Sequence, residues 1–140
     1  MRRWRTLREA GEVVGMYRTR PLSKGYRLRM DVTSFPLLGE AEIGIEAYRG
    51  RHTEEGYIKG RGTATGPGGV EAFVVAREML DEAEEEIRKR WPEIDLLILH
   101  AETEQLHRIY SRLTRDGQWG YDGNIYPDDK WPSITKEVRP

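Results

Sequence analysis

The periodicity of the chain changes at Val70. From there to Arg90, Phe73, Ala76, Leu80, Ala83 and Ile87 recur at steps of three and four residues, which places them on one face of a helix. Glu84 with Arg88, Glu85 with Lys89 and Glu86 with Arg90 are i,i+4 pairs in the favourable order, each stabilising a helix by about 0.2–0.5 kcal/mol. The basic residues also suit the negative pole at the helix end. Pro92 predicts the stop, because the residue before a proline is disfavoured in the α region. The acidic run "DEAEEE" reads as the solvated face of this helix. A long helix with one apolar face must bury it against another layer, so the flanking segments decide the fold class.

Before the helix the period is two. "YRLRMDV" sets Tyr26, Leu28, Met30 and Val32 on one face, with Arg27, Arg29 and Asp31 on the other, and predicts a half-buried strand. Pro36 and Gly39 break it, and "AEIGIEAY" resumes alternation through Ile43, Ile45 and Ala47. A third strand is predicted at "GYIKGRGTA", weakened by its glycines, which would complete an antiparallel meander. After the helix, "IDLLILH" is a continuous apolar run of the kind that forms a central strand buried on both faces. "AETEQLHRIYSRL" returns to helical spacing through Leu106, Ile109, Tyr110 and Leu113, and residues 117–140 predict one or two short closing strands and an irregular tail. The expectation is an α/β fold in βββαβα order with a mixed, mostly antiparallel sheet and a closing strand.

With 140 residues and no internal repeat, the chain is expected to be one domain, with its core at about residues 26–119 and with 1–15 and 122–140 peripheral. A formal net charge of −1 gives no general case for nucleic-acid binding, and Arg2, Arg3, Arg5 and Arg8 around Trp4 read as a solvated basic segment. There is no cysteine, which removes disulfides, thiolate metal sites and cysteine nucleophiles. No signal peptide or membrane span is visible, so the expected location is the cytoplasm and no membrane partner is expected.

Chemistry is most plausibly sought where the two periods meet. Residues 60–69 read "GRGTATGPGG", with five glycines in ten positions. A helix N-terminus presents unpaired N–H groups and a positive dipole end, and glycines clear the approach for an anion. No Ser, Thr, Asp or Asn stands immediately before Val70 to cap those amides, although Thr63 or Thr65 would serve if the helix began earlier. The alternative is a tight corner that needs glycine only for its backbone. The segment is neither a P-loop nor a dinucleotide fingerprint, because Gly-Lys-Ser/Thr is absent and the glycine spacing differs.

The element order and two local phrases together resemble the GCN5-related N-acetyltransferase superfamily over roughly residues 26–119. In that family three antiparallel strands lead to a pyrophosphate loop of the pattern Gln/Arg-x-x-Gly-x-Gly/Ala, then a helix, a buried strand and a second helix. "TATGPG" is similar to the loop, with Gly66 and Gly68 on its small positions, Thr63 where Gln or Arg is usual, and Arg61 two residues earlier as a substitute. The resemblance implies acetyl-coenzyme A as donor, with Gly66, Gly68, Gly69 and Val70 supplying amides to its pyrophosphate. "HRIYSRLTRDGQW" is similar to the family's second phrase and implies Tyr110 as proton donor to the departing thiolate; Thr103 stands where an asparagine usually contacts the cofactor. The equally available structural role for Tyr110 is core, on one face with Leu106, Ile109 and Leu113.

Transfer to an amine also needs a base, and Glu46, Glu54, Glu55 and His100 are the candidates. A histidine at a strand end is more often hydrogen-bonded structure than base. The acceptor, a small-molecule or protein amine, is not specified, and neither is assembly as a homodimer. Two alternatives stand beside this reading: a domain of the same architecture that has lost catalysis and serves as a binding module, and, remotely, an ADP-ribosyltransferase suggested by Glu102 and Glu104. His52, His100 and His107 are too scattered in sequence to propose a metal site.

Overall fold

The computed structural model describes residues 4–49, 52–53, 56–57, 69–101, 104–115, 118–121 and 133–138. Among the described residues, nine strands and two α-helices form an α/β domain with a mixed sheet: β1 (Arg5–Glu9), β2 (Glu12–Pro21), β3 (Tyr26–Phe35), β4 (Glu40–Arg49), β5 (His52–Thr53), β6 (Gly56–Tyr57), α1 (Gly69–Arg90), β7 (Leu96–Leu99), α2 (Glu104–Leu113), β8 (Gly120–Tyr121) and β9 (Ile134–Glu137). Seven strands share one sheet in the order β1-β2-β3-β4-β7-β9-β8, and β5 and β6 pair separately. By internal contacts the chain divides into one unit of Met1–Asp31 with Ile45–Asp81 and another of Val32–Gly44 with Glu82–Pro140, and β3, β4 and α1 run through both.

In the first unit, β1 and β2 make a hairpin where the sequence reading expects a peripheral piece. Its two-residue turn has Ala10 at φ 51° and Gly11 at φ 81°, the left-handed pair that matches the twist of the flanking strands. The register runs Arg5↔Tyr17, Thr6↔Met16 and Leu7↔Gly15, then shifts by one residue to Arg8↔Val13. A bulge of this kind turns the next residues to the opposite face. The extra residue on β2 is Val14; on the other side of it Gly15 and Met16 are both buried, Gly15 having no side chain to expose, so strict alternation is lost along the strand. A four-residue connection, residues 22–25, leads from β2 to β3, far too short for a parallel crossover of a dozen residues or more, so these two strands are antiparallel. Leu28 and Met30 of β3 are buried as the alternation predicts, and Arg29 on the opposite face lies 4.0 Å from the Tyr17 ring centroid and pairs with Asp31 at 2.8 Å.

In the second unit the connection between β3 and β4, residues 36–39, is equally short and makes that pair antiparallel too. Strand β7 lies parallel to β4, from Glu40↔Leu96 to Ile43↔Leu99, and antiparallel to β9, from Leu96↔Glu137 to Leu99↔Ile134. Parallel neighbours need a long crossover, and α1 lies in the chain between them. The first two residues of the expected third strand do not join the large sheet, and its remaining residues, 58–64, lie outside the described residues. Gly56 and Tyr57 instead pair with Thr53 and His52. Leu97 and Leu99 are buried, whereas Leu96 and Ile98 are only half-buried, so β7 is central but fully covered on one face alone.

Helix α1 begins and ends close to the predicted positions. Ala76, Leu80, Ala83 and Ile87 are buried as predicted, joined by Ala72 and Met79, while Phe73 is half-buried. Fully burying a side chain such as Met79 or Ile87 contributes about 1.5–3 kcal/mol. All three i,i+4 pairs form, at 3.0 Å for Glu84–Arg88, 3.7 Å for Glu85–Lys89 and 2.9 Å for Glu86–Arg90. At the end, the Trp91 N–H still donates to the Ile87 carbonyl before Pro92 turns the chain away. Thr114 closes α2 by donating from both its amide and its hydroxyl to the Tyr110 carbonyl, at 3.1 and 2.8 Å.

Candidate functional site

The parallel contact between β4 and β7 is the first place to look for a site. It comprises four register pairs and stops at Ile43↔Leu99, where β7 ends, while β4 continues to Arg49. The carboxyl ends of parallel strands are where ligands bind in open α/β sheets. Gly44 is the first β4 residue past the last pair, and a Cβ placed there would meet nothing within 4 Å.

Two sequence candidates lie on or just beyond these strands, and a third lies on α2. His100 follows β7 and is half-buried, with Nδ1 3.1 Å from the Ser133 Oγ, just before β9. This contact ties the end of β7 to the start of β9 and matches the structural role expected of a histidine at a strand end. Tyr110 on α2 is 3% exposed, so its phenol ring is core, whatever its hydroxyl contacts. Glu46, on the continuation of β4, is half-buried. It belongs to the first unit, His100 and Tyr110 to the second.

Of the candidate cofactor residues, Gly69 and Val70 open α1, and Val70 is 83% exposed. Arg61, Thr63, Gly66, Gly68 and Thr103 lie outside the described residues, as do Glu54, Glu55 and Glu102. The sequence reading missed one feature at this helix end. Glu71, in the first turn, accepts hydrogen bonds at 2.8 Å from both the amide and the hydroxyl of Ser23. The Ser23 amide, then its hydroxyl, holds the carboxyl below its ordinary value of 4.5, so at neutral pH a full negative charge sits beside the positive pole of α1. An anion placed on the amides of Gly69 and Val70 would share that pole with Glu71. An acidic residue in a first helical turn is visible in sequence, but its partner 48 residues away is not.

A cavity of about 520 Å³ occurs elsewhere in the second unit, lined by Glu84, Arg88, Gln118, Gly120, Thr135, Lys136 and Glu137. It contains none of the candidate catalytic residues. Its charges are matched internally, since Glu84 accepts from Lys136 at 2.6 Å and from Arg88 at 3.0 Å. We read it as an ion-pair cluster holding α1 to β9. Among the described residues there is no group of three or more metal-ligating side chains, and no helix is long and apolar enough to cross a membrane.

Comparison with protein-family models and with curated proteins finds no match for this chain.

Proposed function

We propose that the chain is an acyl-coenzyme A dependent N-acetyltransferase of divergent GCN5-related type. The observation that carries this reading is the β4–α1–β7 arrangement: a parallel strand pair that ends after four residues, with β4 running on, and a long helix entered through a glycine-rich segment. Antiparallel strands precede this unit, and a second helix and closing strands follow it, in the order that the sequence resemblance implies. The exposure of Val70 in the first turn of α1 suits an approaching pyrophosphate, and the Glu71 carboxylate beside it weakens that fit. Glu71 is engaged by Ser23, and the glycines of residues 60–69 carry no side chain to obstruct an approaching phosphate.

Acetyl-coenzyme A would supply an activated thioester. The chain's part is to bind the pyrophosphate at Gly66, Gly68, Gly69 and Val70, to take a proton from the acceptor amine, and to return one to the thiolate. The candidate bases are Glu46, on the continuation of β4, and His100, which follows β7. Tyr110 is the proton donor in this scheme, and its burial requires that it reach the thiolate from within the core.

That same burial favours a second reading, a non-catalytic binding module of the same architecture. One titration tests the acetyltransferase reading. Binding to the folded state alone raises thermal stability, so about 1 mM acetyl-coenzyme A or coenzyme A should raise Tm, and Gly68→Asp, which places a carboxylate in the phosphate position, should abolish the rise. An unchanged Tm at that concentration would rule out the acetyltransferase.

A further inference from the structure

We infer that the turn between β3 and β4 is a docking knuckle, which inserts into an apolar groove rimmed by lysine and arginine on a partner protein. In the four residues 35–38, "FPLL", Phe35 is 41% exposed, Leu38 69% and Leu37 fully exposed, at 103%. A surface turn has no folding use for three large apolar side chains side by side, and contiguous exposed apolar groups mark interaction sites.

The turn is also rigid. Gly39 adopts φ 71° and its amide donates to the Pro36 carbonyl at 3.1 Å. Its own carbonyl accepts from the amides of Asp95 and Leu96, at 2.9 and 3.1 Å. The leucines are therefore presented on a backbone fixed before any partner arrives, which reduces the entropy lost on binding.

Charge and size choose the occupant. The side chain of exposed Asp95 lies against Gly39, where a Cβ would stand 3.0 Å from its Oδ1; exposed Glu93 is two residues earlier in the chain, and Glu40 follows Gly39 directly. The Asp95 carboxylate at the base of the knuckle and the acidic residues Glu93 and Glu40 near it in the chain complement a basic rim. They would repel an anionic lipid surface. They would equally repel one another if two copies met symmetrically through this turn, and three apolar side chains fall far short of the roughly 20–30 residues per side of a stable interface. A groove on a different protein supplies the missing area.

The inference does not depend on acyl transfer. It is tested by placing the photo-crosslinker p-benzoylphenylalanine at Leu37 of the full chain in its native cell, identifying the captured protein, purifying it and titrating it against the full chain. The expected result is a complex weakened about tenfold or more by Leu37→Ser with Leu38→Ser. Glu93→Lys with Asp95→Lys should weaken it as well, and added salt should do the same to the unsubstituted chain. Matching melting curves for all variants check the fold. The inference is overturned by cross-linking only to a second copy of the chain, by no protein cross-link, by flotation with phosphatidylcholine–phosphatidylglycerol vesicles that depends on the two leucines, or by a captured protein whose affinity ignores both double variants.

Discussion

Ser23 and Glu71 are joined by two hydrogen bonds of 2.8 Å, one from the serine amide and one from its hydroxyl, to a single carboxylate oxygen. The contact links the turn after β2 to the first turn of α1 within one unit. Because it depresses the folded-state pKa of Glu71, its stabilisation is fully present above the ordinary value of 4.5 and is lost as pH falls through the lower folded value. Glu71→Gln should therefore flatten the loss of thermal stability between about pH 5 and pH 3, with Ser23→Ala intermediate. Melting curves across that range check it, and identical acid limbs in all three proteins would refute it.

The same carboxylate bears on the proposed cofactor site. Removing its charge leaves the positive pole of α1 to an incoming phosphate alone, so Glu71→Gln should bind coenzyme A more tightly at low salt, with the gain vanishing as salt rises. Isothermal titration at two ionic strengths measures this. Weaker binding by the variant would place the pyrophosphate away from α1.

At the first hairpin, Ala10 occupies a left-handed conformation that costs a residue bearing a Cβ about 1 kcal/mol relative to glycine. Asn tolerates this region better, so Ala10→Asn should stabilise by about 0.5 kcal/mol, whereas Gly11→Ala should destabilise by about 1 kcal/mol. Urea midpoints will show whether the two substitutions move in opposite directions.

Gly39 combines φ 71° with the close approach of Asp95. Gly39→Ala should destabilise by about 1–2 kcal/mol, and adding Asp95→Ala should recover only the part due to the 3.0 Å contact. Comparing the single and double variants by chemical denaturation separates conformational strain from crowding.

Lys136 and Glu84 form a 2.6 Å ion pair in which both side chains are only 18% exposed. Neutralising either alone leaves the other charge poorly solvated, so Lys136→Met and Glu84→Gln should each destabilise by about 1–2 kcal/mol. The double variant should cost less than the sum, with a coupling of about 1 kcal/mol in a double-mutant cycle.

Much of the fold was legible because local patterning and burial agree. The face of β3 carrying Leu28, Met30 and Val32, the buried face of α1 and its three ion pairs all follow from spacing alone. The first hairpin was not legible: its turn has alanine where Asn, Asp or Gly would have signalled the reversal, and its bulge breaks the alternation. The candidate site was legible only as residue types. Sequence named Glu46, His100 and Tyr110, but it could not reveal that Tyr110 is 3% exposed or that His100 contacts Ser133.

Sequence by itself determined the elements whose evidence lies within one turn or one strand, because i,i+2 and i,i+4 relations are set by backbone geometry. Tertiary structure decided which strand lies beside residues 40–43 of β4, since the two partners are over fifty residues apart in the chain and no local pattern specifies their pairing. It also decided what Glu71 does. A carboxylate near a helix N-terminus is commonplace, but one held by Ser23 is a fixed charge beside the pole where an anion is proposed to bind.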